Sequence, residues 1–380
     1  RTAINQMHEL VRIHHIFMAR VKFVLLSAVA YSEHPDKCMQ KIREIEPRFD
    51  YVIFDDDFIA ERCDDFYFDY NVCVAMVTLS HANQEIVISY RGTSQNIQLL
   101  DELLATLVKK QRFGLGNAHA YFLNGFKKLQ PCVIERLKNM IELFPNYQVT
   151  VSGHSLGGAM ASIMSMYVRE QHIVFLDRVK LFTYGQPRTG DKTYAVKHDR
   201  LVPNRWRIAH QRDIVPHVPH CFPKCVSGDS SLSYHHEAEV FHDTESMENP
   251  ADLTQCQANQ DIQCSRKYTQ FFSREFFKVW KWNRGYLDHV DYFDIPVGSY
   301  CESLLGIGKR SKRSIGLEFH DKLQDDTCTT LYRVDGTWTP RDPAMETTSK
   351  PNLNTSAYNA SPTALWILTI MLLFLLISDI

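Results

Sequence analysis

The sequence predicts an α/β fold: a mainly parallel sheet with helices on its faces. Two observations carry that expectation. Strand-like and helix-like periodicities alternate through the middle of the 380 residues. The sharpest junction between them, after the alternating residues 147–151, is Gly153-His154-Ser155-Leu156-Gly157-Gly158. Beyond it Leu156, Ala159, Met160, Ile163, Met164, Tyr167 and Val168 recur at helical spacing.

From the N-terminal side, Met18-Ala19-Arg20-Val21-Lys22 followed by the apolar residues 23–30 reads either as a short signal peptide or as an opening helix ending at Tyr31. Residues 71–80 and 85–90 are β-rich and flank a polar turn, His81-Ala82-Asn83-Gln84. Residues 118–144 are largely helical, with a break expected at Pro131. Lys180-Leu181-Phe182-Thr183-Tyr184 and Arg205-Trp206-Arg207-Ile208-Ala209 are further strands, and within residues 234–240 a histidine pair meets another strand-like stretch. No internal repeat is present.

Composition sets the class. Apolar content of 44% supports a full core, and a net charge of −2 without a basic, aromatic-interleaved patch points away from nucleic acid. The 10 cysteines include short pairs, Cys63/Cys73, Cys221/Cys225 and Cys256/Cys264, with Cys301/Cys328 as a further pairing. No C-x-x-C occurs, so zinc ribbons and thioredoxin-like motifs are unsupported, and disulfides in the secretory pathway or outside the cell are expected.

A G-x-S-x-G at a strand-to-helix junction has the form of a nucleophile elbow. The serine is held at the strand tip, above a helix N-terminus whose free N–H groups favour an oxyanion. Such a serine needs a base, and the base needs an orienting carboxylate, in the chain order Ser, Asp or Glu, His of α/β hydrolases. Asp213 follows a strand end in Arg212-Asp213-Ile214-Val215-Pro216, and His235 or His236 follows in Tyr234-His235-His236-Glu237. With His217 and His220 these histidines also make a metal site worth naming, although no H-E-x-x-H helix is present. A second oxyanion donor beside the Leu156 N–H is needed, and Arg91-Gly92-Thr93 ends a strand where it could stand.

Taken in order, Ser89-Tyr90-Arg91-Gly92-Thr93, the elbow, Thr183-Tyr184-Gly185-Gln186-Pro187-Arg188, His210-Gln211-Arg212-Asp213-Ile214-Val215-Pro216 and His235-His236-Glu237-Ala238-Glu239 resemble the class 3 lipases, the family typified by fungal triacylglycerol lipases. Gln98-Leu99-Leu100 and Asp288-His289-Val290-Asp291-Tyr292-Phe293 look closest to its nematode branch, and Ala28-Val29-Ala30-Tyr31-Ser32 looks like the family's first helix. The resemblance implies one α/β-hydrolase domain over residues 25–300. It implies Ser155 as nucleophile, Asp213 as orienter and His235 as base, four residues before Glu239 as in the family. Thr93 and Leu156 would form the oxyanion hole. The reaction implied is hydrolysis of a lipid ester at a lipid–water interface, with neither cofactor nor metal. Phospholipase A1, diacylglycerol lipase or another carboxylesterase on the same fold are the alternatives, as is a non-catalytic lipid-binding protein. Two departures from the family's pattern are the segment His119-Ala120-Tyr121-Phe122 and a short gap between Asp213 and His235.

A lid is expected directly after Thr93, where Ile97, Leu100, Leu103, Leu104, Leu107 and Val108 form an apolar stripe. Past the domain come an extension over 301–336, with a basic run at 309–313, and a Pro/Ser/Thr/Asn-rich stalk over 337–363 expected to be disordered and carrying sequons at Asn354 and Asn359. The apolar tail 364–380 is expected to attach the protein to a membrane. Its 364–377 run would span only about 21 Å as a helix against a core of about 30 Å, which favours a glycosylphosphatidylinositol signal over a short membrane helix.

Overall fold

The computed structural model describes residues 22–54, 57–63, 72–93, 109–219, 232–247, 249, 252–257, 261–271, 281–307, 331–334 and 337–340. All of these belong to one compact unit. The stripe at 97–108, the basic run, the sequons and the apolar tail lie outside the described residues, as do Cys221, Cys225 and Cys328. No described helix is long and apolar enough to cross a membrane.

The eight-stranded sheet is built from β1 (Phe58–Arg62), β2 (Val72–Ser80) and β3 (Glu85–Tyr90), then β6 (Gln148–His154), β7 (Val179–Tyr184), β8 (Asn204–His210), β9 (Glu239–His242) and β10 (Leu253–Cys256), in that order across the sheet. The small hairpin β4 (Lys110–Phe113) and β5 (Gly116–His119) stands apart. Pairs from β3 through β9 are parallel; both flanks are antiparallel.

Helix α1 (Val24–Val29) and helix α2 (Pro35–Ile45) precede the sheet. Helix α3 (Ala120–Leu143) lies in the β3-to-β6 connection, α4 (Leu156–Glu170) joins β6 to β7, and α5 (Lys192–Leu201) joins β7 to β8. Strand order advances one way, so right-handed crossovers put these three on one face. The core confirms it. Ile86, Ile88, Val149, Val151 and Leu181 pack with Leu123, Phe126, Met160 and Tyr194. The alternate residues Met76, Val87, Phe182 and Tyr184 pack with α1 and α2. Pro131 does not break α3: its neighbours Leu129, Cys132 and Val133 are buried, and that packing holds the helix through the lost N–H.

The apolar residues 23–30 are core. Phe23 stacks on Phe182 with centroids 4.5 Å apart, and Val24 to Val29 are all buried, which fits an opening helix of the domain. Further on are α6 (Lys281–Val290), the two-residue strands β11 (Asp291–Tyr292) and β12 (Ile295–Pro296), and α7 (Tyr300–Leu304).

Disulfides join Cys63 to Cys73 and Cys256 to Cys264 as expected. Cys301 does not pair with Cys328. It is bonded to Cys38, because α7 packs beside α2 with the two Cα atoms 5.4 Å apart. Within the segments expected as extension and stalk, β13 (Leu331–Val334) pairs antiparallel with β14 (Thr337–Pro340), whose Thr-Trp-Thr sequence has good strand propensity.

Candidate active site

Strand β6 ends and α4 begins within one residue, and Ser155 takes the whole turn at φ 59°, ψ −128°. This backbone region is costly for a residue with a Cβ and survives only where its surroundings enforce it. Two glycines do so. A Cβ on Gly153 would lie 2.3 Å from Gly157 O, and one on Gly157 would lie 2.1 Å from Tyr90 O. The Ser155 N–H is tied to Tyr184 O at 2.9 Å, which anchors the turn to β7.

Ser155 Oγ lies 2.9 Å from His289 Nε2, and His289 Nδ1 lies 2.9 Å from Asp213 Oδ2. All three side chains are buried. Nδ1–H donates to the carboxylate, which leaves Nε2 as acceptor for the serine hydroxyl. Asp213 sits just past β8, and His289 near the end of α6. The Asp213 carboxylate also accepts from Tyr292 Oη at 2.6 Å and from the Val215 N–H at 2.8 Å. Burial pushes the Asp213 carboxyl up, but the His289 ring and these donors outweigh it and hold it below the ordinary carboxylate value. Gly185, at φ 58°, makes room: a Cβ there would be 2.6 Å from Asp213 Oδ2 and 2.8 Å from His289 Nδ1.

A family model for class 3 lipases matches residues 87–222, from β3 past Asp213. A lipase of Caenorhabditis elegans is 30% identical over 292 residues, 72% of this chain and 78% of the relative. The chain belongs to the class 3 lipase family. The Rhizomucor miehei lipase is 28% identical over 228 residues, and there the chain spans only 56% of the relative's length. In fold it is similar to the crystal structure of the lipase from Rhizopus microsporus var. chinensis, with a TM-score of 0.59 at 22% identity, over 77% of this chain and 90% of that one.

Within this lipase-family chain the base expected at His235 is not beside Ser155. His235 Nε2 donates to Pro216 O at 2.6 Å, and the ring is buried among the charges of Arg207 and Arg188. The neighbouring Tyr234 is pinned by a β-bridge to Gly190, so the segment cannot swing to the elbow. His236 stacks on His198 of α5 at 4.2 Å, and its Nε2 lies 3.2 Å from Gln186 Oε1. His289, 76 residues after Asp213, takes the place instead. The signal was present in Asp288-His289-Val290-Asp291-Tyr292-Phe293, where histidine and tyrosine stand three apart, and in the short Asp213–His235 gap.

Gly92 comes close to the elbow: a Cβ on it would lie 2.6 Å from His154 O and 3.0 Å from Ser155 Cβ. Thr93 follows directly, with a buried hydroxyl that has no hydrogen-bond partner among the described residues. Leu156 is the first residue of α4, so its N–H has no intrahelical acceptor.

His198, Asp199 and His236 bring ligand atoms within 4.8 Å of one another. The two rings lie nearly parallel at 12°, so their lone pairs run side by side and do not converge, and Asp199 already pairs with Arg205 at 2.8 Å. The triplet fits a packed polar layer better than a metal centre. His220, the remaining member of the sequence-based metal set, lies outside the described residues, and His217 is buried beside Arg188.

Burial drives His119, His154, His198 and His217 each down to about 3, and His235 and His236 well below the ordinary histidine value of 6.5. These rings are neutral when folded and bind protons only on unfolding. The unfolded chain therefore holds more protons below about pH 6.5, and stability falls as pH drops from there toward about 3. Each ring contributes a slope of up to about 1.4 kcal/mol per pH unit in that window. Thermal melts should show a Tm that is flat above about pH 7 and declines steadily from about pH 6 downward. A Tm unchanged to about pH 4.5 would contradict neutral burial of these rings.

Proposed function

We propose that this chain is a serine carboxylic ester hydrolase that cleaves lipid esters through an acyl-enzyme. The single observation that carries this reading is the unbroken row of hydrogen bonds from Ser155 through His289 to Asp213. In the proposed reaction Ser155 Oγ attacks the ester carbonyl carbon while its proton passes to His289 Nε2. The carbonyl oxygen becomes an oxyanion, held by the Leu156 N–H and by Thr93. The intermediate collapses, the C–O bond to the alcohol breaks, and His289 gives its proton to the departing oxygen. Water then repeats the sequence on the acyl-serine, with His289 as base, and releases the acid. Asp213 keeps the His289 tautomer and stabilises the imidazolium.

Family membership supports a lipid ester, with acylglycerols first and phospholipids as the alternative headgroup class. The disulfides Cys38–Cys301, Cys63–Cys73 and Cys256–Cys264 support an oxidising compartment, so we place the protein in the secretory pathway or outside the cell. The test is to treat the protein with a fluorophosphonate and map the adduct by peptide mass, alongside hydrolysis of p-nitrophenyl esters of increasing chain length. A label on Ser155 that abolishes hydrolysis is expected. An unlabelled Ser155 in folded protein would favour the lipid-binding alternative.

Tyr292 offers a finer check. Its hydroxyl is one of the donors that keep Asp213 ionised. Tyr292→Phe should lower kcat about tenfold, the size of a hydrogen bond to a charged group, with KM nearly unchanged. Ester kinetics alongside a melt of the same variant would show it, and an unaltered kcat would remove Tyr292 from the site.

A further inference from the structure

Behind the row of Ser155, His289 and Asp213 runs a second hydrogen-bonded row that the proposed chemistry does not use. Tyr31 Oη lies against Gly92: a Cβ on that glycine would be 2.3 Å from it. Tyr31 Oη lies 2.8 Å from His154 Nδ1, and His154 Nε2 lies 2.7 Å from the main-chain oxygen of His289. His154 is the residue before the serine, and its ring lies over the His289 ring with centroids 4.6 Å apart. Tyr31 stands just beyond the C-terminal end of α1, which the sheet buries.

The carbonyl end of this row fixes its direction. A carbonyl only accepts, so His154 carries its proton on Nε2 and donates to His289 O. The neutral ring then accepts at Nδ1, and Tyr31 donates to it. A protonated His154 would leave the Tyr31 proton without an acceptor and put a cation against the face of His289. Burial works against that, holding His154 neutral.

We propose that Tyr31 and His154 are positioning residues that lock the Gly92–Thr93 strand exit, the Ser155 elbow and the His289 main chain into one mutual register. The oxyanion donor, nucleophile and base come from β3, β6 and α6, elements far apart in sequence. Packing alone sets each within its own element. The packing of Tyr31 on Gly92 and the bonds from Tyr31 through His154 to His289 O tie them to one another. The gain is in preorganisation, where small displacements cost much rate. The inference rests on the reading of Ser155 and His289 as nucleophile and base.

The experiment uses the full chain with Tyr31→Phe, His154→Leu, His154→Gln and the pair Tyr31→Phe/His154→Leu, measured for ester kinetics, for phosphonate inactivation rate and for Tm. Tyr31→Phe and His154→Leu should each lower kcat about tenfold or more with KM within about twofold, and slow phosphonate inactivation in parallel. His154→Gln keeps a donor of similar reach toward His289 O and should recover part of the loss. The pair should cost little more than the worse single change, because both break one row. Wild-type kcat in Tyr31→Phe, no recovery in His154→Gln, or fully additive losses would each overturn the proposal. If His154→Leu fails to fold, Tyr31→Phe decides, since it removes one oxygen and keeps the ring. Failure of the underlying reading is separate: it would appear as hydrolysis retained by Ser155→Ala or His289→Ala.

Discussion

Ser155→Ala is expected to lower ester hydrolysis by about 10⁴-fold or more, because members of a nucleophile–base–carboxylate set act as a unit. The fold should survive. The side chain is small, its hydroxyl bonds only His289 among the described residues, and alanine is no worse than serine at φ 59°. Ser155→Gly should be equally inactive yet more stable, since glycine relieves the strained backbone, by about 1–2 kcal/mol. A urea titration of both variants beside wild type, with hydrolysis assayed on the same samples, separates the two effects. Activity within about tenfold of wild type in Ser155→Ala would remove the serine from the chemistry.

His289→Ala should match Ser155→Ala in lost activity, and the double variant should be no worse than either single one. His235→Ala should behave in the opposite way. Its ring touches neither Ser155 nor Asp213 but donates to Pro216 O within the core, so its removal leaves a cavity and an unmet carbonyl. The expected cost is about 1–3 kcal/mol of stability, with specific activity of the folded fraction largely kept. Kinetics and denaturation on the two variants discriminate sharply. Loss of turnover without loss of stability in His235→Ala would reverse the assignment.

These variants also mark where the sequence could be read and where it could not. The elbow was legible because its requirements are local. Gly153 and Gly157 are demanded by contacts within a few residues and with the adjacent β3, and the switch from period two to period 3.6 is written on either side of Ser155. Strands β2, β3, β6, β7 and β8 were visible for the same reason, as was Asp213 at a strand end. The Cys63–Cys73 and Cys256–Cys264 bonds span 10 and 8 residues and could be guessed from spacing.

The base and the long disulfide were decided in three dimensions. His235, His236 and His289 are all histidines after Asp213, and chain order alone admits each of them. What separates them is where the chain carries their rings. The bridge of Tyr234 to Gly190 turns His235 into the core beside Pro216. Close packing of α6 on the Asp213 loop, where Gly285 leaves no space for a Cβ beside Ile214, brings His289 over the elbow. Cys301 likewise bonds a cysteine 263 residues away, since α2 and α7 meet only once the chain has folded. Local sequence thus determines backbone conformation, strand and helix period and the strained serine, because those depend on neighbouring residues. Which distant side chains meet depends on how buried faces pack, and only the tertiary structure settles that.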